Sequence, residues 1–420
     1  MDDGNNFDRC PDDVVVGSIL SRLPVSDLVR FGVISRRWRN QWTSVRSLDF
    51  APDRYFNFLD NTESFDEVFT GVLNRLQSEF PINLIRCSIA LPLGVNSIVL
   101  SRWLSLLGGC SVRDLALRSH TGYVFLCSFL SLVPSLEHLE LARHVRLSTS
   151  PDDPFLPRLR SVALCGVKMS IGETLAFFLS KCPALERLRL DGCIFMGGQT
   201  LRVVDAPRLS HLAVLNTSLR GIEIAAPALT TLEMDGVSMD RKVVLNVPSL
   251  RFLTTSYVAG NRKYFFSSIL ETIQFDCGAF ANLLRLSIRI DMSNTMEAVL
   301  LASALRACLL LKELRLTINP AKTNCCSLPY DQFRFWEKQN YFDCLSWHLE
   351  YASIANYGEH CDELDFVQFL AREALVLKKL VIWRSRINGE INASAGEIRF
   401  MATASTFTNA ASPWLDVVWN

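Results

Sequence analysis

The sequence predicts an α/β fold in three parts: a short three-helix unit, an irregular solenoid of short strands, and a strand–helix–strand region that caps its C-terminal end. Two observations support this prediction. The triplet Pro-x-Leu recurs through the middle of the chain, and the leucine of each triplet opens the same apolar-x-x-apolar-x-apolar phrase. Apolar residues at helical spacing precede and follow this array.

The repeated phrase is the most regular feature of the chain. Apolar residues in alternation indicate a strand with one buried face. Copies spaced 20–26 residues apart are typical of a leucine-rich repeat, whose units bury their apolar faces only by stacking on neighbours. Their unequal lengths predict an irregular array. The clear copies begin at Pro134, Pro157, Pro183, Pro207, Pro227 and Pro248, and weaker ones at Val45, Leu84, Val112, Leu270 and Leu311.

The residues between the buried leucines are predicted to share the open face of the strands. This face mixes both signs of charge with small groups, which suits a protein or peptide partner better than a polyphosphate. For any single residue, an ordinary solvated surface is the alternative, since few interface residues carry binding energy. The candidates for facing a target are Arg118, His138, Glu140, Arg187, Arg189, Asp191, His211, Glu233, Asp235 and Phe252.

Composition narrows the class of protein. Of 420 residues, 49% are hydrophobic, and Lys+Arg and Asp+Glu both number 43. This balance argues against bulk attraction to nucleic acid or to an anionic membrane. Thirteen irregularly spaced cysteines without a secretory leader favour reduced thiols, so we expect a cytoplasmic or nuclear protein. The longest apolar run, residues 298–311, is too short to span a bilayer and predicts a buried helix.

The sequence contains partial matches to a phosphate-binding motif and to a zinc-binding motif, but no complete motif. Gly192 to Thr200 has the two glycine positions of a phosphate loop, but Gly198 replaces its lysine, so a turn between repeats is preferred. A cluster of cysteines and histidines lacks the spacing of a zinc finger. We therefore expect no cofactor, no metal and no catalysis, an enzymatic site built from repeat loops being the remote alternative. The cluster comprises Cys325, Cys326, Cys344, His348, His360 and Cys361.

The N-terminal segment has the pattern of three short helices. Pro11 fits the first turn of a helix, where its missing N–H has no partner, and Pro24 ends that helix. Ser26 is placed to cap a second helix that runs to about Ile34, and Ser35 to cap a third. Helices this short cannot enclose all their apolar surface, so the segment is predicted to bind a partner.

The chemistry of that partner depends on the third helix. Trp38 and Trp42 lie four residues apart there, beside Arg36, Arg37 and Arg39. Arginines beside aromatic rings allow a nucleic-acid arm as one interpretation. Aspartates earlier in the segment offset this charge, however, so an exposed apolar stripe that binds a protein is preferred.

These residues closely resemble the F-box of plant F-box proteins. The matching motifs are Pro-Asp-Asp-Val from residue 11, Ile-Leu-Ser-Arg-Leu-Pro from residue 19 and Ile-Ser-Arg-Arg-Trp-Arg from residue 34, with Cys10 and Val14 where leucine is commoner. The resemblance implies that this segment docks on a Skp-type adaptor, although some of its apolar residues, Leu20 and Ile34 among them, could instead be its own core. The implied docking residues are Pro11, Val15, Ile19, Leu20, Leu23, Leu28, Val33, Ile34, Trp38 and Trp42.

The C-terminal third supports the same family. Residues 345–383 resemble the FBD module of plant F-box/leucine-rich-repeat proteins, and the ending from Ala411 resembles the closing strand of that module. Residues 362–375 have the pattern of an amphipathic helix, and the region is predicted to cap the last repeat, which would otherwise end in an open strand. The predicted domains are 1–50, the F-box; 51–320, the repeats; 321–343, a loop or insertion; and 344–420, the FBD-like module.

The resemblance implies a function without bond chemistry. In this family the F-box binds the adaptor, and through it the cullin and RING subunits of a ubiquitin ligase, while the repeats hold a target protein. The chain would thus be a substrate receptor that acts by proximity. The alternative is a non-catalytic repeat scaffold without ligase function. The sequence does not identify the target.

Overall fold

The structure, a computed structural model, forms two compact units, Met1–Leu209 and Ser210–Asn420, called unit 1 and unit 2 below. We describe each unit separately. The residues that the structure describes are 19–25, 27, 28, 30, 44–50, 62–79, 84–119, 122–150, 152–169, 173–196, 200–204, 206–239, 243–256, 280–319, 335–339, 341–358, 360–385 and 411–419.

Unit 1 contains mainly short strands with helices between some of them. Its helices are α1 (Thr62–Glu79), α2 (Ser97–Gly109) and α3 (Glu173–Ser180), with 3-10 helices at Leu20–Arg22 and Cys127–Leu132. Its strands are β1 (Ser47–Phe50), β2 (Arg86–Leu91), β3 (Asp114–Ser119), β4 (Val124–Leu126), β5 (His138–Ala142), β6 (Arg146–Ser148), β7 (Ser161–Cys165), β8 (Lys168–Met169), β9 (Arg187–Asp191), β10 (Ile194–Phe195) and β11 (Thr200–Val203).

The main sheet of unit 1 is a parallel ladder in the order β1-β2-β3-β5-β7-β9. The second residue of every strand takes the same register position and is buried, because the repeated phrase places an apolar side chain there in each copy. Each fully buried leucine of such a row contributes about 2 kcal/mol to folding. The row consists of Leu48, Cys87, Leu115, Leu139, Val162 and Leu188.

A left-handed residue follows several main strands and turns the chain out of the sheet. Arg143, Gly166 and Gly192 take this position after β5, β7 and β9, with φ values of 57°, 67° and 59°. The N–H of Arg143 bonds to the Cys165 carbonyl at 2.7 Å, and Gly166 bonds to Asp191 in the same way. The turn therefore links neighbouring repeats, and Gly192 belongs to such a turn, as its sequence context predicted.

Aromatic side chains hold α1 and α2 against the first strands. The ring of Trp103 lies 4.9 Å from that of Phe65 and 5.1 Å from that of Phe69, and Phe69 lies 4.7 Å from Phe50. Trp103 is fully buried, and its indole N–H donates to Asp66 Oδ1 at 2.7 Å. One helix–strand core therefore carries both the ring packing and a satisfied polar contact.

Unit 2 continues the same pattern with more strands. Its helices are α4 (Thr295–Ala307), α5 (Asp343–Trp347) and α6 (Cys361–Glu373), with a 3-10 helix at Trp336–Lys338. Its strands are β12 (His211–Leu215), β13 (Ser218–Leu219), β14 (Gly221–Ala225), β15 (Thr231–Asp235), β16 (Ser238–Met239), β17 (Val243–Asn246), β18 (Phe252–Ser256), β19 (Arg285–Ile290), β20 (Glu313–Ile318), β21 (Tyr351–Tyr357), β22 (Lys379–Arg384) and β23 (Asp416–Trp419).

The main sheet of unit 2 is also parallel, in the order β12-β15-β18-β19-β20-β21-β22-β23. The strands of the C-terminal region, β21 to β23, thus prolong the ladder of the repeats. Strand β19 had no counterpart in the sequence prediction, although Leu-Leu-Arg-Leu-Ser-Ile from residue 283 fits the repeated phrase. The weak copy at Leu270 lies outside the described residues, whereas the copy at Leu311 leads into β20, and the predicted buried helix corresponds to α4.

The predicted loop or insertion at 321–343 contains a packed segment near its end. Trp336 lies in a 3-10 helix and is 2% exposed, with its ring 4.8 Å from Phe366 and 4.9 Å from Phe369 of α6. The Trp336 N–H donates to Asp365 Oδ2 at 3.0 Å. Its partners lie about thirty residues away in sequence, so local pattern could not reveal this packing. The start of the segment, 321–334, lies outside the described residues.

Glu297 is a buried carboxyl in the first turn of α4. It accepts the Asp291 N–H at 2.8 Å, yet burial raises the pKa of Glu297 to about 7. Because the folded-state pKa is raised, the stability that this group contributes is full below its ordinary pKa and is lost as pH rises through 7.

We therefore expect Glu297→Gln, which keeps the acceptor oxygen, to match the natural protein in urea unfolding at pH 4.5 and to be about 2 kcal/mol more stable at pH 8. Glu67→Gln, at an exposed glutamate of α1, is the control. An equal effect of Glu297→Gln at both pH values would contradict this account.

Candidate functional site

The N-terminal docking segment is described only in part. Val25, Asp27, Leu28 and Arg30 are helical, and the Pro24 carbonyl accepts the Leu28 N–H at 3.0 Å. The second helix thus begins directly after Pro24, earlier than a cap at Ser26 would place it. Six of the ten predicted docking residues lie outside the described residues: Pro11, Val15, Val33, Ile34, Trp38 and Trp42.

The four described docking residues divide into two classes. Leu20 and Leu28 are 0% exposed, and the 3-10 helix that carries Leu20 lies against β1. Ile19 and Leu23 are only half-buried. Leu20 and Leu28 are therefore buried in this structure, a role that the sequence left open for Leu20, and their part in docking stays a prediction. Ile19 and Leu23 stay predicted contacts.

The predicted face residues of unit 1 do share one side of the ladder. Paired register positions place Arg118 beside Ala142 and Glu140 beside Ala163 and Ala116. Arg118 forms an ion pair with Glu140 at 3.5 Å. The charged side chains therefore lie beside small side chains of the neighbouring strands, as expected for an open face.

Charges on the face of unit 1 are matched in pairs. His138 Nε2 lies 3.8 Å from Asp114 Oδ1, and Arg189 donates to Asp191 at 2.9 Å. Arg187 is exposed at the strand start. These pairs are at least one-quarter exposed and contribute little stability.

The face of unit 2 carries the other predicted residues and several that sequence reasoning missed. His211, Thr231 and Phe252 occupy one register row, with Arg285 and Glu313 next along it. Glu233 lies two residues after Thr231 on β15, and Asp235 lies two residues after Glu233. The missed charged residues are Arg285, Arg289, Glu313, Arg315, Lys379 and Asp416. Their signal was present in alternating phrases such as Arg-Leu-Ser-Ile-Arg-Ile at residue 285.

Within unit 2 the charges are not spread evenly. Acidic Glu233 and Asp235 lie on β15, whereas Arg285, Arg289 and Arg315 lie on the adjacent strands β19 and β20. Neutral residues of β18 separate the two groups. The unit therefore presents an acidic zone and a basic zone on one face.

The cysteines and histidines that partly match a zinc-binding motif form no metal site in the part of the chain that the structure describes. Among the described residues, no group of His, Cys, Asp and Glu is arranged to hold a metal ion. Cys344 is buried and donates to the Leu305 carbonyl at 3.0 Å, and burial raises the pKa of Cys344 to about 12. The His360 N–H bonds to Glu363 at the start of α6. Cys325 and Cys326 lie outside the described residues.

The buried thiols are unsuited to nucleophilic chemistry. Burial raises the pKa of Cys182 and of Cys193 to about 12. Such thiols stay protonated at neutral pH and pack as small apolar groups. Within the described ranges, no helix has the length and hydropathy required to cross a bilayer.

Three family models match this chain. The leucine-rich-repeat model described as "At1g61320/AtMIF1, LRR domain" matches residues 83–345, more than half of the chain. The F-box domain model matches residues 7–50, and the FBD model matches residues 337–382. The predicted kinds of domain are therefore confirmed, while their predicted boundaries stay predictions.

Three similar curated proteins, from Arabidopsis thaliana, have F-box, LRR-repeat or FBD in their names. The F-box/LRR-repeat protein At3g26922 is 28% identical over 64% of this chain and 88% of its own length. The putative FBD-associated F-box protein At1g05080 is 25% identical over 89% of both chains. The FBD-associated F-box protein At3g52670 is 25% identical over 89% of this chain and 88% of its own.

One solved structure also aligns with most of the chain. It is a leucine-rich-repeat protein of Leptospira interrogans, with a TM-score of 0.45 and 14% identity over 94% of this chain and 99% of that protein. The likeness is too distant to support a conclusion.

Proposed function

This chain belongs to the family of plant F-box proteins with leucine-rich repeats and a C-terminal FBD region, and on that premise we propose that it is the substrate receptor of a Skp–cullin–F-box ubiquitin ligase. The F-box would bind a Skp-type adaptor, and through it the cullin and RING subunits. The open faces of the repeats would bind the target protein, in the cytoplasm or the nucleus.

The observation that carries the proposal is the match of residues 7–50 to the F-box, joined in one chain to parallel ladders with polar open faces. This arrangement separates two tasks: the N-terminal segment attaches the chain to a larger assembly, and the strands offer side chains to a partner. The contribution to ubiquitin transfer would be proximity, because holding a target lysine near the transferring enzyme raises its effective concentration.

A scaffold without ligase function is the alternative. The burial of Leu20 and Leu28 in the chain's own core favours it, because a buried side chain has no surface with which to contact an adaptor. Recruitment of cullin separates the two functions, because a scaffold would bind its partner and recruit none.

The experiment is co-expression of the full chain with a Skp-type adaptor and a cullin, followed by affinity capture of the chain. We expect the natural sequence to capture both partners, and Leu23→Asp, which places a charge at a half-buried docking residue, to reduce adaptor recovery at least tenfold. Leu310→Asp makes the same change at a leucine that is 39% exposed in unit 2 and should have no effect.

A second variant, Leu28→Asp, distinguishes loss of folding from loss of adaptor binding. Leu28→Asp buries a charge in the core and is expected to unfold the segment, so its thermal melting should change as well as its binding. Leu23→Asp should lose the adaptor with the melting of the repeats intact. Full adaptor binding by Leu23→Asp, or adaptor capture without cullin by the natural chain, would overturn the proposal.

A further inference from the structure

We propose that the open face of unit 2 binds an acidic, extended segment of the target, with a carboxylate on Arg285 and Arg315 and an apolar side chain on Trp383. The inference rests on the proposed function and adds the chemical class of the target segment. Nothing in the family matches specifies this segment.

The basic half of the surface is a pair of guanidinium groups held in place by one carboxylate. Arg285 Nε donates to Glu313 Oε2, and Arg315 Nε donates to Glu313 Oε1 at 2.6 Å. The Glu313 side chain is 17% exposed, whereas those of Arg285 and Arg315 are 41% and 50% exposed. Two cations thus share one anion, and the arrangement keeps a net positive charge at the surface.

A ring contact fixes one of these arginines. The guanidinium carbon of Arg285 lies 5.3 Å from the centre of the Phe252 ring, which restricts the side chain from a second direction. Arginines that are already ordered lose less conformational entropy when a carboxylate binds them, and their planar forks match a carboxylate through two hydrogen bonds. The pair is therefore suited to a carboxylate ligand.

The apolar half lies two strands away in the same register row. Arg315 on β20 pairs with Ser353 on β21, and Ser353 pairs with Val381 on β22. Val381 is buried, whereas Trp383, two residues further along β22, is 51% exposed and offers its ring to a ligand. The small side chain of Ser353 leaves room for a peptide to cross between the arginines and Trp383.

The spacing specifies the segment. Neighbouring strands are about 4.8 Å apart, so two steps across the sheet span about 10 Å. An extended peptide rises about 3.3 Å per residue, and that distance corresponds to about three residues. The target segment should therefore carry Asp or Glu about three positions from a large apolar side chain.

Charge on the flanks argues against a nucleic acid in the same place. Glu233 and Asp235 on β15 and Asp416 on β23 bound the basic zone on both sides. A polyphosphate that follows the face would meet these carboxylates, whereas a short acidic segment would not.

The test uses two fluorescein-labelled ten-residue peptides and the full chain. One peptide has two glutamates three positions from a tryptophan in a Gly/Ser background, and the other has glutamines in place of the glutamates. We expect the glutamate peptide to bind at least tenfold more tightly in fluorescence anisotropy at low salt. Arg285→Gln with Arg315→Gln should abolish that difference, and Trp383→Ser should weaken both peptides several-fold. Arg220→Gln, at an exposed arginine after β13, should change nothing.

Equal binding of the two peptides, an unchanged preference in the double arginine variant, or displacement by single-stranded DNA would overturn the inference. Capture of the adaptor is measured on the same preparations. Adaptor capture without peptide discrimination would refute the acidic segment alone, and peptide discrimination without adaptor capture would refute the ligase role alone.

Discussion

Gly108→Ala is expected to lower the free energy of unfolding of unit 1 by about 3 kcal/mol, because the added Cβ would overlap the backbone oxygen of Leu132. Gly108 lies in the last turn of α2, where it packs against the 3-10 helix that leads to the next repeat. A backbone atom cannot rotate away, so α2 must separate from the neighbouring repeat. Urea unfolding followed by circular dichroism measures the loss.

Gly71→Ala is the matched control for this substitution. Gly71 also lies inside a helix, but nothing lies within 4 Å of the position that its Cβ would take. Alanine favours a helix over glycine by about 1 kcal/mol, so this variant should be more stable than the natural protein. Equal stability changes in the two glycine variants would show that the contact at Leu132 is not the cause.

Trp103→Ala is expected to cost about 4 kcal/mol, since it empties the centre of the Phe50, Phe65 and Phe69 cluster and leaves Asp66 without its indole donor. Trp103→Phe should cost less, because it keeps most of the ring volume and loses mainly the hydrogen bond. Thermal or urea unfolding of both variants tests this order.

Trp414→Ala provides the contrast, because Trp414 is 77% exposed. Its removal should change stability by no more than about 0.5 kcal/mol. If Trp103→Ala were as mild as Trp414→Ala, α1 and α2 could not be held to the first strands by this cluster.

The strand ladder was readable from sequence because each repeat restates the same local pattern. A buried residue recurs at one register position, as Leu139 and Leu188 illustrate, and burial of that face does not depend on distant segments. Helix α1 carried a readable signal too, because Phe65, Phe69 and Leu73 recur at helical spacing. Strand β19 lacks the triplet that marks the six clear copies, so its only signal was the alternation of apolar residues from Leu283.

The surfaces were less predictable because they depend on which strands become neighbours. Arg285 on β19 pairs with Glu313 on β20, so the two residues come from adjacent repeats. Because β19 was not predicted, this ion pair could not be predicted either. The burial of Leu20 likewise depends on β1, which local helix periodicity does not indicate. Trp336 is the clearest case, since its partners Phe366 and Phe369 belong to a later helix.

The proposed ligase role depends on attachment of the N-terminal segment to a Skp-type adaptor. The most direct measurement is the mass, by light scattering after size exclusion, of the purified full chain mixed with the purified adaptor. We expect one species whose mass is the sum of one 47.3 kDa chain and one adaptor. Two separate peaks at micromolar concentrations of both proteins would contradict it.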